Sequence, residues 1–409
     1  MLCFIRREFI YQSLPSQVSF DSSSVSLLSK RIVTPRGGRP TFGIGGKGLE
    51  LHNPANTFLM HRGGRLFSLW EGGHPVEVDA ETLETISVGV RVADARRGAP
   101  VSTDVGALDS LLGLGGEAVG SHPVVDVASG RTVLLLSTVT PSRVKYRIAE
   151  IDDAGDVIRQ RSLAIEGFTA VHGGMALTRD YYILFSPSLS LDLNKFFSGT
   201  VSVADCVGQR PGEPTAIHLI PRHPASSRVV TVQTTGCFVT HSVNAYQSRT
   251  GHVVVDVMAS ESLASLRKLS VSMRRFVIDA ASRSFESVCI SPGPMEFPAI
   301  HPGHAGLPYR FAYASAAPWG WVKLDVDTGE SRVAACGDGP HAEPTFVPRP
   351  GGKDEDDGWI MGYILASAGK RLCIVDAKSM QRCCEFDATG SNALGLHGCF
   401  VTKDVVELS

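Results

Sequence analysis

Short apolar runs rich in β-branched and aromatic residues recur along most of the chain, bounded by Gly, Pro, Asp and Ser. Residues 132–136, 181–185, 252–257, 359–363 and 372–375 are the clearest, and the pattern predicts strands. One arrangement repeats: a strand-like run ends in Asp, a short polar turn follows, and a second run begins. Its copies are centred on Asp79, Asp152, Asp279, Asp325 and Asp376, as in Leu324-Asp325-Val326-Asp327-Thr328-Gly329. An Asp at a strand end can accept from the turn amides, so each copy predicts a β-hairpin. The last two steps between these Asp residues, 46 and 51 residues, match the ~40–50-residue period of a propeller blade. The 73-residue step fits one blade with an insertion, and the 127-residue step fits two or more blades with degenerate hairpins. Long amphipathic helices are scarce, with 261–269 the best candidate. Four-stranded sheets repeated about an axis protect strand edges without helices. A single all-β propeller with inserted loops is therefore expected over 47–409, and a two-domain β-sandwich is the other architecture compatible with the pattern. Segment 1–46 is Gly-, Pro- and Ser-rich, and an irregular N-terminal segment is expected there.

Composition narrows the function classes. Among 409 residues the formal net charge is -2, which gives no field to attract a nucleic-acid backbone. No apolar run reaches the ~18–20 residues needed to span a bilayer. Nine Cys with no C-x-x-C pair argue for a reducing compartment and buried thiols, without a disulfide framework or thiolate zinc site. The first 31 residues hold eight Ser and four basic residues, which faintly resembles a transit peptide; a cytoplasmic or plastid protein is expected. Secretion is not, because Arg6 and Arg7 break the apolar start.

The candidate chemistry lies in the histidines. His52, His61 and His74 fall in a turn-rich polar stretch, and His218, His223, His252, His301 and His304 read as surface or loop residues. His122, His172, His241 and His397 differ, because three of them precede or enter a strand-like run and the fourth lies near the C-terminus. Their intervals of 50, 69 and 156 residues are about one, one and three blades. Imidazoles entering the innermost strands of different blades would point at the common axis and converge on one metal.

Several segments stand in one order from about residue 51 to 401: Asn53-Pro54-Ala55-Asn56-Thr57, Leu69-Trp70-Glu71-Gly72-Gly73-His74-Pro75, His122-Pro123, the stretch 172–187, His241…Asn244-Ala245-Tyr246, Met295-Glu296-Phe297-Pro298, Ala342-Glu343-Pro344 and Leu396-His397-Gly398. Together they resemble the carotenoid cleavage oxygenases, the group of plant and bacterial carotenoid dioxygenases and the vertebrate retinoid isomerase. The resemblance implies a seven-bladed β-propeller with a ferrous iron, Fe(2+), on its axis. It implies His122, His172, His241 and His397 as ligands, with Glu71, Glu296 and Glu343 accepting the remaining N–H of three of them. A ligating imidazole must give its other N–H to something, and a carboxylate fixes the ring and its tautomer. Structural zinc prefers Cys or short local spacings, which are missing here.

The implied activity is cleavage of a conjugated carbon–carbon double bond of a carotenoid or apocarotenoid by iron and dioxygen, giving two carbonyl products. A phenolic stilbene is the rival substrate; stilbene cleavers place Lys before the first of these Glu residues, where this chain has Trp70. A truncated, inactive propeller serving as a binding module is the non-enzymatic alternative. The expected partners are the apolar polyene and dioxygen, with peripheral membrane contact and a monomeric state. Measured against the family, the usual opening region is missing, Ser242 replaces a His and Gly173 an Asp. An incomplete ring with raw sheet edges, reduced stability and weak activity is therefore expected.

Overall fold

The computed structural model describes residues 55–402 apart from 56, 72, 81, 89–117, 140–142, 168, 170–173, 193, 196–202, 211, 224–227, 264–269, 317–319, 335 and 389–396; before residue 55 it describes five strands only. The helical candidate at 261–269 therefore lies mostly outside the described residues.

Six antiparallel meanders of four strands follow one another, over 58–88, 118–166, 176–234, 238–291, 295–334 and 345–387. The second has its first strand split into Ala118–Val119 and Val124–Asp126, and the third carries an inserted hairpin, Leu189–Leu191 with Val207–Gln209. From the second meander to the sixth the first strands touch one another in turn, and Met60 of the first meander shares an apolar cluster with Val119 of the second, which makes each meander a blade and each first strand an inner strand of a propeller. The fourth blade shows the resulting gradient. Its second strand, Val253–Ser260, is buried at every residue, whereas its outer strand, Ser284–Ser291, is mostly exposed. The core accordingly lies in wedges between blades. Val255, Phe276 and Ile278 of the fourth blade pack with Ile183, Phe185 and Leu219 of the third. Burial of such side chains is worth ~1.5–3 kcal/mol each.

The contiguous blades number six, where seven were expected. A further four-stranded sheet is built from both ends of the chain. Arg7–Tyr11, Ser16–Phe20 and Val25–Ser29 form a meander, and Arg7–Tyr11 pairs with Gly398–Thr402 in the register Phe9 to Phe400. This corrects the expectation of an irregular segment over 1–46 and of raw edges at this junction. The strand-forming Phe9, Ile10, Tyr11 and Val18 are present, but the Ser-rich composition and a pairing partner near the far end of the chain hide the pattern. Gly398–Thr402 lies between the inner strands Thr345–Pro348 and Phe58–Arg62, and Phe400 and Val401 join the wedges on its two sides.

All five Asp hairpins are present, and each joins the third and fourth strands of its blade. Asp79 Oδ1 accepts from Thr82 N at 2.6 Å, Asp152 from Ala154 N at 3.0 Å, and Asp325 from Asp327 N at 3.0 Å. The long step from Asp152 to Asp279 hides a single blade without the motif, not two. There Arg222 takes the Asp position and reaches into the second blade. It donates to Asp126 Oδ2 at 2.6 Å, Glu150 Oε1 at 2.9 Å and Thr178 O at 2.9 Å. Tyr182 and Arg131 also donate to Glu150, which is fully buried. His218 is a second correction. It is buried on the third strand of this blade, with ring nitrogens 2.7 Å from Ser186 Oγ and 3.0 Å from Thr231 Oγ1. Burial pushes its pKa down to about 4.

Two outcomes follow. Arg222→Ala removes the guanidinium shared by Asp126 and Glu150 while Glu150 keeps Arg131, Arg159 and Tyr182, and is expected to lower unfolding free energy by ~1–3 kcal/mol in urea titrations; a loss below ~0.5 kcal/mol would contradict the network's role. Because the folded pKa of His218 lies below its unfolded value of 6.5, its contribution is complete above about pH 6.5 and fades as pH falls toward 4. Wild type should therefore lose ~2–3 kcal/mol more stability between pH 7.5 and 4.5 than His218→Gln; equal losses would contradict this.

Candidate metal centre

The inner strands aim their leading residues at the axis. His122 lies two residues before Val124–Asp126, His241 sits inside Phe238–Gln247, and His397 immediately precedes Gly398–Thr402. Their nearest ring nitrogens all fall within 4.8 Å of one another, and ring centroids are 4.8–5.3 Å apart. His172 lies outside the described residues. Gly174, two residues on in sequence, adopts φ +82° against His122, where an added Cβ would sit 2.6 Å from the His122 Cβ.

Two of the rings are held from the neighbouring blade. Glu296, on the fifth blade's inner strand Met295–Ile300, accepts from His241 Nδ1 at 2.6 Å and from Phe297 N at 2.6 Å. Glu343, ahead of the sixth blade's inner strand, accepts from His397 Nδ1 at 2.8 Å and from Gly398 N at 3.0 Å. Glu71 meets the cluster differently. Its Oε1 accepts from Ser121 Oγ and lies 3.4 Å from His122 Nε2.

Electrostatics follow from this geometry. Burial alone would lower the pKa of His397, but the charge and hydrogen bond of Glu343, aided by Glu296 and Glu71, raise it. Burial would raise Glu296, yet the charge and hydrogen bond of His241 hold it below the usual carboxylate range. Since both Nδ1–H groups are given to carboxylates, neutral His241 and His397 present lone pairs on Nε2, and these atoms face each other at 3.4 Å. Two lone pairs so placed repel unless a cation lies between them. Nitrogens bound at ~2.1 Å to one ion at right angles stand about 3 Å apart, so the spacing suits adjacent ligands of a first-row divalent metal.

The surroundings are apolar. Phe58 packs 5.8 Å from His122 and 5.6 Å from His397, and Phe297 packs 5.5 and 5.6 Å from His241 and His397. Phe297 has φ +58°, a strained conformation that brings its N–H onto Glu296. A cavity of about 150 Å³ opens beside the imidazoles, lined by Phe58, Pro123, Val124, Met175, Ser242 and Pro298 among others. Ser242 and His241 both line it because register shifts flank them on the inner strand. Sequence reasoning had no role for Phe58, Met175 or Gly174; the Gly173-Gly174 pair before a strand was the one available signal.

This fold and site define a β-propeller with a carboxylate-supported histidine cluster on its axis. Residues 24–402 match the retinal pigment epithelial membrane protein family, and the chain belongs to that family, the carotenoid cleavage oxygenases. The apocarotenoid-15,15'-oxygenase of Synechocystis is 29% identical over 364 residues, covering 81% of this chain and 69% of that protein. Human beta,beta-carotene 15,15'-dioxygenase is 27% identical, covering 69% of this chain and 64% of its own length. The chain thus spans about two thirds of these relatives. Among solved structures, cobalt-substituted Synechocystis ACO superposes with a TM-score of 0.81 at 26% identity, covering 95% of this chain and 87% of that one.

Glu296→Gln and Glu343→Gln keep the shape but remove the charge behind each ring. Each should weaken divalent-metal affinity ~10–100-fold in chelator competition. Gly174→Ala should weaken it as well, with an unchanged far-UV spectrum, because the new methyl displaces His122. Affinities equal to wild type would contradict the assigned geometry.

Proposed function

We propose that this protein is a non-haem iron(II) dioxygenase that cleaves a conjugated double bond of a carotenoid or apocarotenoid into two carbonyl products. The observation that carries the reading is the set of converging imidazoles, two of them with Nδ1 tied to carboxylates and Nε2 left to share one cation. Membership of the family and the substrates named in its relatives support the substrate class. In this reading His122, His172, His241 and His397 hold ferrous iron. The sheet that pairs Arg7–Tyr11 with Gly398–Thr402 acts as the seventh blade, keeping His397 in the ring.

When bound, the iron supplies the activation of dioxygen. The chain's own residues do the rest. Glu296 and Glu343 fix the tautomer and orientation of the imidazoles, with both Nδ1 protons held in place. Phe58, Val124, Met175 and Pro298 exclude water and present an apolar wall to the polyene. Each carbon of the cleaved bond takes one oxygen atom of dioxygen, so the sum needs no external proton donor and no acid–base residue. Trp70 next to Glu71, where a stilbene cleaver would carry Lys, favours the polyene over a phenolic substrate.

The test is aerobic incubation of the Fe(II)-loaded protein with an apocarotenal, a C40 carotenoid and a hydroxystilbene, followed by chromatography of the aldehydes. Product is expected from a carotenoid or apocarotenal, should require dioxygen, and should fall to background in His241→Ala and His397→Ala. A protein that binds iron fully and cleaves only the stilbene, or nothing, would overturn the proposal.

A further inference from the structure

A cavity of about 470 Å³ opens on the fourth blade and shares no lining residue with the axial one. Its size falls in the range of ~300–1,000 Å³ usual for small-molecule sites. Ser272 and Arg274 line it from the third strand, Ser272–Asp279, and Cys289 from the outer strand, Ser284–Ser291. Pro292 adds an apolar surface and Glu261, which is exposed, a carboxylate. The Cys289 thiol is exposed and free.

Arg274 and Arg275 are consecutive on one strand, so alternation sends them to opposite faces of the blade. Arg275 finds Asp256 and donates to it at 2.8 Å through both Nε and Nη2. Arg274 meets no such partner, because its cross-strand neighbours are Val257 on one side and Cys289 on the other. Its Nε is enclosed without a hydrogen-bond partner, and among the described residues no carboxylate pairs with the guanidinium. A guanidinium carries five N–H donors and a fixed charge. Withdrawing part of it from water without an acceptor costs free energy that a bound anion would offset. Ser272 Oγ holds only a long 3.5 Å contact to Ala259 O, so its proton can turn to a bound oxygen.

We infer that this cavity binds a small organic monocarboxylate, with Arg274 as its counter-ion and the Cys289 thiol beside the bound molecule. The planar fork of a guanidinium matches the two oxygens of a carboxylate. One cation balances one negative charge, and Glu261 on the same cavity repels a second, which favours a carboxylate over a doubly charged phosphate. The volume exceeds that of a bare ion, and Pro292 offers a surface to the carbon body. Directly opposed residues hold their Cβ atoms roughly 4.5–5.5 Å apart. A carboxylate seated on Arg274 therefore brings the carbon next to it up to the Cys289 sulfur. Neither the axial metal nor the proposed oxygenase reaction enters this site.

The test uses that proximity. The reduced full chain is alkylated with iodoacetate, which carries the carboxylate, or with neutral iodoacetamide, and the rate at Cys289 is followed by peptide mass spectrometry. In both reactions the thiolate sulfur bonds to carbon and iodide leaves. The iodoacetate-to-iodoacetamide rate ratio at Cys289 is expected to be at least about tenfold higher in the folded chain than in the same chain unfolded in urea. Excess acetate at constant ionic strength should bring the folded ratio down to the unfolded one. Arg274→Met should do the same while leaving the iodoacetamide rate unchanged, which shows that the cavity is intact. Equal ratios in folded and unfolded wild type would overturn the inference, and so would a folded ratio that acetate does not lower; both readings need no variant to fold. An unchanged ratio in Arg274→Met, or protection by methyl phosphate and not by acetate, would overturn it as well.

Discussion

The hydrogen bonds from His241 Nδ1 to Glu296 and from His397 Nδ1 to Glu343 are the constraint on which the site depends. Each crosses from one inner strand to the next, so the tautomer of each ring is set by how adjacent blades stack. Each carboxylate also accepts a backbone N–H, from Phe297 or Gly398, which stops it rotating away. Removing the Nδ1 proton from consideration leaves both Nε2 atoms as lone pairs aimed at one point. A propeller is suited to this, because its inner strands deliver side chains from distant parts of the sequence to a common axis without requiring a flexible loop.

Around that axis the molecule spends polar groups sparingly and pairs those it buries. Arg222 with Glu150 and Asp126 joins the second and third blades, and Arg275 donates to Asp256 at 2.8 Å through both Nε and Nη2 in the fourth. Tyr309, one blade on, donates to the same Asp256 at 2.6 Å. Such pairs are weak sources of net stability, but breaking one is costly, so they penalise any slip between blades. Apolar wedges drive the stacking, and the charged contacts fix its register.

The hairpins were legible because their cause is local. An Asp accepting from amides two or three residues on needs nothing beyond its own turn, and all five such turns appeared between the third and fourth strands. Where a distant partner took over, the pattern failed. Arg222 replaces the turn Asp because its guanidinium finds carboxylates in another blade, and His218 looked like a loop residue because its burial depends on strands on either side. The strands before residue 30 were missed for the same reason, since their sheet is completed by residues 398–402.

The order of motifs along the chain carried the resemblance that named His122, His172, His241 and His397 with Glu71, Glu296 and Glu343; of these the structure brings His122, His241 and His397 together and sets Glu296 on His241 and Glu343 on His397, while His172 lies outside the described residues. Only the tertiary structure decided which carboxylate holds which ring, that Glu71 meets His122 at Nε2, that Phe297 at positive φ turns its N–H onto Glu296, and that Gly174 packs against His122. The physical reason is one of range. Turn chemistry and alternation act over a few residues and are written in sequence order, whereas tautomer and cavity shape are set by contacts between blades, whose spacing in space bears no fixed relation to spacing along the chain.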